Sequence, residues 1–118
     1  MAFKFEGLLV WQKSLDLSVE ISDIAKNNFP KFEMYALSSQ IRRAADSVVL
    51  NIAEGCTGQT NPEFKRFLRY SLRSAVEVVA CLFIAKKKYY LSEELFNRYY
   101  IEYEHLCKSI TKLKNSLD

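Results

Sequence analysis

The stretch from Leu37 to Gly55, LSSQIRRAADSVVLNIAEG, decides the fold, because two stripes of residues run along it at helical spacing. The first stripe is apolar and recurs at steps of three or four: Leu37, Ile41, Ala44, Val48 and Ile52. The second stripe is polar and recurs in the same way: Gln40, Arg43, Ser47, Asn51 and Glu54. This periodicity predicts an amphipathic helix whose apolar side faces a core.

The polar stripe has short side chains, Ser47 and Asn51, near its middle. One interpretation is an ordinary solvated face. The other is a second packing face that is hydrogen-bonded to a neighbouring helix or to another subunit. We favour the second, because a purely solvated face usually carries more Lys and Glu. Gly55 should end the helix, since glycine tolerates the left-handed conformation found after helix C-termini.

Similar patterns predict three further helices in a single domain spanning residues 1–118. The expected helices cover about residues 8–28, 33–54, 62–89 and 93–117. Phe29-Pro30 should stop the first, Asn61 should be the N-cap of the third with Pro62 at its first position, and Ser92 should cap the fourth. The loops are too short for a long crossover, so the sequence predicts an all-α, antiparallel up-down-up-down four-helix bundle.

Composition narrows the class of protein. The 118 residues are 49% hydrophobic and 14% aromatic, a high apolar content for a small helical domain. This content favours an oligomer, in which some of the aromatic side chains cover a second subunit. Three widely separated cysteines, Cys56, Cys81 and Cys107, indicate reduced thiols in a cytoplasmic protein, with Cys81 and Cys107 in the core. No apolar run approaches the roughly 20 residues of a membrane span, so we expect no membrane contact.

Enzymatic chemistry has little support in the sequence. A di-iron bundle needs two Glu-x-x-His motifs, whereas the chain has one, Glu102 to His105, and no other histidine. The loop from Gly55 to Gly58 lacks the Lys-Ser or Lys-Thr pair of a phosphate-binding loop. We therefore expect no catalytic residue, metal or cofactor, and a metal-carboxylate enzyme remains only a remote alternative.

A basic row on the third helix is the strongest functional candidate. Arg66, Arg69 and Arg73 are three and four residues apart, with Lys65 beside them. Arginine binds phosphate through a planar fork, and a row at helical pitch can follow a nucleic-acid backbone. The alternative is a solvated face, with Arg73 partly paired to Glu77 four residues later.

Three segments together resemble a known family: FEGLLVWQKSLDL, NNFPKFEMYALSSQIRRAADSVVLNIAEG and PEFKRFLRYSLRSAVEV. They are similar to the bacterial four-helix-bundle proteins called 23S rRNA intervening-sequence or S23 proteins, which in turn resemble the accessory protein of diversity-generating retroelements. The chain departs from the family pattern at Val49, where Pro is frequent, and at Thr57-Gly58, where Gly-Arg is frequent. The second departure removes a positive charge from that loop.

The resemblance implies a homopentameric barrel. In the retroelement relatives that barrel is basic and engages nucleic acid and a reverse transcriptase. We therefore expect a non-catalytic, oligomeric accessory protein that binds the backbone of structured RNA or DNA through the basic row. The alternative is a protein–protein scaffold, with a reverse transcriptase or another protein as partner and no nucleic-acid activity.

Overall fold

The computed structural model describes residues 2–58 and 60–117. Four α-helices make up the described chain: α1 is Leu9–Asn28, α2 Leu37–Cys56, α3 Asn61–Lys87 and α4 Glu93–Ser116. Single turns of 3-10 helix precede α1 at Lys4–Gly7 and α2 at Lys31–Glu33. Short connections make consecutive helices antiparallel, and the bundle measures 43 × 23 × 22 Å. The predicted all-α four-helix bundle is confirmed.

One continuous core runs between the four helices. The apolar stripe of α2 is buried along its whole length, with Ile41 and Ile52 fully inaccessible. In α4 an apolar stripe at steps of three and four buries Tyr99, Tyr103, Leu106 and Ile110, and Leu113 and the C-cap Leu117 that continue it are half-buried. In α1, Leu17, Ile21 and Ile24 are buried, whereas Leu15 and Val19 are exposed. The core-facing stripe of α1 is therefore narrower than its apolar pattern indicates.

Helix α2 begins four residues later than the prediction, because the carboxylate of Glu33 is used elsewhere. The residues before α2 form i to i+3 turns, in which Ala36 N–H donates to the Glu33 carbonyl at 2.9 Å. Glu33 is turned into the bundle, where Lys88 Nζ and Tyr90 Oη donate to its Oε2 at 3.1 and 2.7 Å. Its Oε1 accepts the first N–H of α2, from Leu37, at 3.3 Å. These hydrogen bonds hold the pKa of Glu33 below its usual range. The bond from Tyr90 has the largest effect and the bond from Lys88 the next largest.

Gly55 does not end α2, and the prediction of a left-handed cap there is wrong. The helix continues to Cys56, and no glycine in the described residues has a positive φ. Gly55 instead lets α3 approach: a Cβ placed on it would lie 2.6 Å from Phe67 Cβ and 3.1 Å from Phe64 Cδ1. The glycine is therefore selected by space between two helices and not by backbone conformation.

The caps of α3 also differ from the prediction. Thr60, not Asn61, is the N-cap, because its hydroxyl accepts the Glu63 N–H at 3.2 Å. Asn61 is the first helical residue, and Gln59 in the preceding loop lies outside the described residues. Helix α4 follows the prediction, since the Ser92 hydroxyl accepts the Leu95 N–H at 3.1 Å.

Helix α3 ends at Lys87, two residues before the predicted end. Tyr89 N–H donates to the Lys86 carbonyl and Tyr90 N–H to the Ala85 carbonyl, at 3.0 and 2.9 Å. This pair of hydrogen bonds is a Schellman motif, and it places Tyr89 in the left-handed region at φ 63°. Glycine usually occupies that position, so the tyrosine carries a conformational cost.

Candidate nucleic-acid interface

The basic row lies on the outer side of α3, near its N-terminal end. Arg66, Arg69 and Arg73 are exposed, and Lys65 is half-buried. The Arg66 guanidinium lies 5.3 Å from the centre of the Phe67 ring and 3.8 Å from Glu63 Oε2. Among the described residues Arg69 and Arg73 take part in no ion pair, so the pairing of Arg73 with Glu77 that the solvated-face alternative included does not occur.

The helix beneath the row is firmly seated. Leu68 and Ser71 are fully buried on the opposite side of α3, and the Ser71 hydroxyl donates to the Val48 carbonyl of α2 at 3.0 Å. Near the start of α3, Gly55 permits the close approach of Phe64 and Phe67. The arginines therefore extend from a rigid support, and only their own side chains need to order when they bind a ligand.

The polar stripe of α2 divides into a half-buried middle and exposed ends. At the middle, the Ser74 hydroxyl of α3 donates to Ser47 Oγ at 2.8 Å. Asn51 Nδ2 donates to the Ser47 hydroxyl and carbonyl oxygens at 3.0 and 2.9 Å. The neighbouring helix that these short polar side chains meet is thus α3 of the same chain.

The ends of the polar stripe point outward. Gln40, Arg43 and Glu54 are all exposed. None of the ion pairs in the described part of the chain uses Arg43 or Glu54. These three side chains are available to a second molecule, whereas Ser47 and Asn51 are already satisfied within the chain.

The acidic and histidine side chains that could have formed a metal site either bind other side chains or lie apart from one another. Glu102 pairs with Lys13 Nζ at 2.6 Å, and Glu20 accepts from Tyr99 Oη at 2.8 Å. His105 is exposed. In residues 2–58 and 60–117 no three His, Cys, Asp or Glu side chains are grouped so that they could hold a metal ion.

The phenol and thiol groups of the core are held neutral. Burial, followed by the hydrogen bond to Glu20, raises the pKa of Tyr99 to about 12. Burial also raises the pKa of the Cys81 thiol to about 11, so this thiol is a poor nucleophile at neutral pH. Cys81 is buried as expected, but Cys107 is only half-buried. All three cysteines are free thiols.

An exposed apolar face across α3 and α4 is a feature that the sequence interpretation missed. It consists of three side chains, each more than a third exposed: Val76, Phe83 and Tyr100, with the rings of Phe83 and Tyr100 6.1 Å apart. A shallow cavity of about 280 Å³ lies within it, between Val76, Tyr100 and Cys107. The signal was present, since Val76 and Phe83 are seven residues apart on the outer side of α3, next to the inner stripe.

None of the helices in the described ranges combines the length and apolar content that a membrane crossing requires. The fold and the surface therefore define an antiparallel helical bundle with a basic row and an apolar face side by side on α3. The sequence matches the family described as "23S rRNA-intervening sequence protein" over residues 6–112, and the chain belongs to that family.

A solved structure has the same fold. It is the crystal structure of a protein with unknown function from the S23 ribosomal protein family of Bacteroides thetaiotaomicron VPI-5482. The two superpose with a TM-score of 0.83 at 24% sequence identity, over 90% of this chain and 98% of the other. No curated protein matches this chain.

Proposed function

We propose that this protein is a non-catalytic, self-associating accessory protein that binds the phosphate backbone of structured RNA or DNA through Lys65, Arg66, Arg69 and Arg73. The observation that carries the proposal is the state of Arg69 and Arg73. Both are exposed on one side of a well-packed helix, and no carboxylate in the described residues pairs with them. Unpaired guanidinium groups at helical pitch suit phosphate better than they suit a solvated, ion-paired surface.

Family membership supports the same class of ligand, since the family is described by an rRNA intervening sequence. The side chains would bind phosphate and not base edges, so affinity should fall steeply with salt. Removing one phosphate-binding charge should lower the slope of log affinity against log salt by about 0.7 to 0.9.

Self-association is the second part of the proposal. The apolar face formed by Val76, Phe83 and Tyr100 adjoins the basic row along α3, and a second copy of the chain would cover it. A ring of five copies, as the family resemblance implies, would present five basic rows to one nucleic acid. Several weak sites acting together give a useful affinity.

The test is a salt titration of RNA binding measured by fluorescence anisotropy. The triple variant Arg66→Ala, Arg69→Ala, Arg73→Ala should lose about two to three units of salt slope. A matched control, Lys108→Ala, Lys112→Ala, Lys114→Ala, removes the same charge from the last turns of α4, at the same end of the bundle but outside the basic row, and should keep most of the slope. An equal loss in both variants would show that only net charge matters, and would reject the basic row as the site.

The assembly is tested separately by light scattering. The double variant Val76→Lys, Phe83→Lys places two charges on the apolar face and should convert an oligomer into a particle of the 13.7 kDa chain mass. The control Phe32→Lys changes an exposed aromatic residue in the loop before α2 and should leave the assembly unchanged. A wild-type protein that is already monomeric would contradict self-association.

A protein–protein scaffold is the second candidate, and the same apolar face favours it, because such a face also suits a different protein. Flat anisotropy with RNA and DNA of every structure tried, together with an intact oligomer, would leave the scaffold as the better account.

A further inference from the structure

A second concave surface lies at the opposite end of the bundle from the arginine row. It is a cavity of about 380 Å³ between the last turns of α1, the loop that follows α1, and the first turns of α2. Lys26 and Lys31 border it from the α1 side and the loop, and Arg42 borders it from α2. The basic row on α3 contributes no residue to it.

The charges that line this cavity have one sign. Lys26, Lys31 and Arg42 are its only ionisable lining residues, and none of them takes part in an ion pair within residues 2–58 and 60–117. Glu33, the nearest acid along the loop, has its carboxylate bound to Lys88, Tyr90 and the N–H of Leu37. The cavity is therefore electropositive, and its three cationic side chains have no carboxylate partner in the described part of the chain.

A largely buried serine lines the same cavity. Ser38, in the first turn of α2, is 8% exposed. None of the side-chain hydrogen bonds in the described part of the chain uses its hydroxyl. The N-cap of α2 is Ala36, which has no side chain able to accept a hydrogen bond. Glu33 Oε1 accepts the Leu37 N–H, but no side chain in the described residues accepts the N–H of Ser38 or Ser39. A serine hydroxyl without a protein partner, beside first-turn N–H groups that no side chain accepts, favours an anionic acceptor from outside the chain.

Apart from Ser22, the remaining wall is apolar. Phe29 is almost fully buried at its base, with Pro30 beside it and the half-exposed Met34 at the rim. A phosphate group alone would leave this wall in contact with water, whereas a ligand with a flat ring attached to its phosphate would cover it. The volume is within the range of small-molecule sites, roughly 300 to 1,000 Å³.

We propose that this cavity binds a phosphomonoester that carries a planar base, of the kind found in a nucleoside 5′-monophosphate or at the phosphorylated 5′ end of a nucleic-acid strand. Lys26, Lys31, Arg42 and the Ser38 hydroxyl hold the phosphate. Phe29, Pro30 and Met34 pack against the ring. The cavity shares no residue with the basic row, so a test that rejects one of the two binding sites leaves the other untouched.

The experiment is calorimetric titration of the full chain with adenosine 5′-monophosphate, adenosine and inorganic phosphate. The monophosphate should bind most tightly, inorganic phosphate more weakly, and adenosine not measurably. Arg42→Ala should weaken monophosphate binding about tenfold, because it removes a charged hydrogen-bond donor. Ser38→Ala should weaken it several-fold without lowering the melting temperature, since alanine is a better helix former than serine.

The matched control is Arg43→Ala, an exposed arginine on the same helix that does not line the cavity. It should leave monophosphate binding unchanged. Equal effects of Arg42→Ala and Arg43→Ala would overturn the proposal, as would adenosine binding as tightly as its monophosphate or no binding at millimolar monophosphate.

Two RNA strands of one sequence, with and without a 5′ phosphate, distinguish the sources of the ligand. They are compared in the variant Arg66→Ala, Arg69→Ala, Arg73→Ala, which lacks the three arginines of the basic row. Tighter binding of the phosphorylated strand, abolished again by Arg42→Ala, supports a strand end as the ligand. Equal binding of the two strands, with the monophosphate still bound, supports a free nucleotide in the same site.

Discussion

Replacing Gly55 by alanine should destabilise the protein, although alanine is the better helix former. Alanine in a helix interior gains roughly 1 kcal/mol over glycine. The new Cβ, however, would lie 2.6 Å from Phe67 Cβ, and an ordinary carbon–carbon contact is about 3.5 to 4.0 Å. Phe67 Cβ is bonded directly to the α3 backbone, so no side-chain rotation relieves the clash and the two helices must separate by about 1 Å.

Overpacking of this kind costs roughly 1 to 3 kcal/mol, and a separation that also loosens the ring of Phe64 belongs at the upper end of that range. After the helix-propensity gain, the net loss is about 1 to 2 kcal/mol. A domain of this length has an unfolding entropy of roughly 0.25 kcal/mol per kelvin, so the melting temperature should fall by about 4 to 8 °C.

Thermal unfolding followed by circular dichroism at matched protein concentration measures the effect. The exposed α3 position Ala80 provides the reference: Ala80→Gly reports the helix-propensity difference in the same protein without a steric contribution. A Gly55→Ala protein that melts at or above the wild-type temperature would refute the reasoning, because it would mean that α2 and α3 separate there without cost.

Three further predictions concern single side chains. Tyr89→Gly should raise the melting temperature by about 4 °C, because it removes a left-handed strain of roughly 1 kcal/mol at a side chain that is 94% exposed; a lower melting temperature would contradict this. Tyr103→Phe should raise the urea midpoint, since the Tyr103 hydroxyl is buried without a partner and such a group costs roughly 1 to 3 kcal/mol. The pKa of Glu33 is lowered in the folded state, so its stabilisation is complete above the unfolded pKa of about 4.3 and is lost as the pH falls through the folded pKa. Glu33→Gln should therefore lower the urea midpoint at pH 7 and converge with wild type in strong acid, whereas a constant difference at every pH would argue against the ionised contact.

The sequence predicted the helices well because their apolar stripes are long and regular. The buried stripe of α2, Leu37 to Ile52, needs only its own periodicity to be recognised. The helix ends were harder to predict, because they depend on distant residues: Glu33 is kept out of α2 by Lys88 and Tyr90, more than fifty residues away. Local signals do remain at some ends, since Thr60 and Glu63 form the Thr-x-x-Glu pattern that marks a helix start.

The candidate sites, like the helices, were predictable where local spacing determines them and not where distant residues do. The spacing of Arg66, Arg69 and Arg73 placed them correctly on one exposed side of α3, because helical pitch alone determines it. The partners of charged residues were not predictable, and the Arg73–Glu77 pair considered as an alternative is absent from the described residues. The cavity at the start of α2 joins Lys26, Lys31 and Arg42 from three different segments, and no sequence pattern links residues that only the fold brings together.

Helices α1 and α4 meet through ionisable side chains more than any other pair of helices in the described chain. Lys13 contacts Glu102, and both Arg98 and Tyr99 contact Glu20, at the junction between the first and last helices of the chain. Mobile ions weaken such half-exposed pairs, whereas the serine hydrogen bonds between α2 and α3 involve no net charge. Ionic strength should therefore act on this junction first, so that added salt releases amide protons of α1 and α4 to solvent exchange while those of α2 and α3 stay protected.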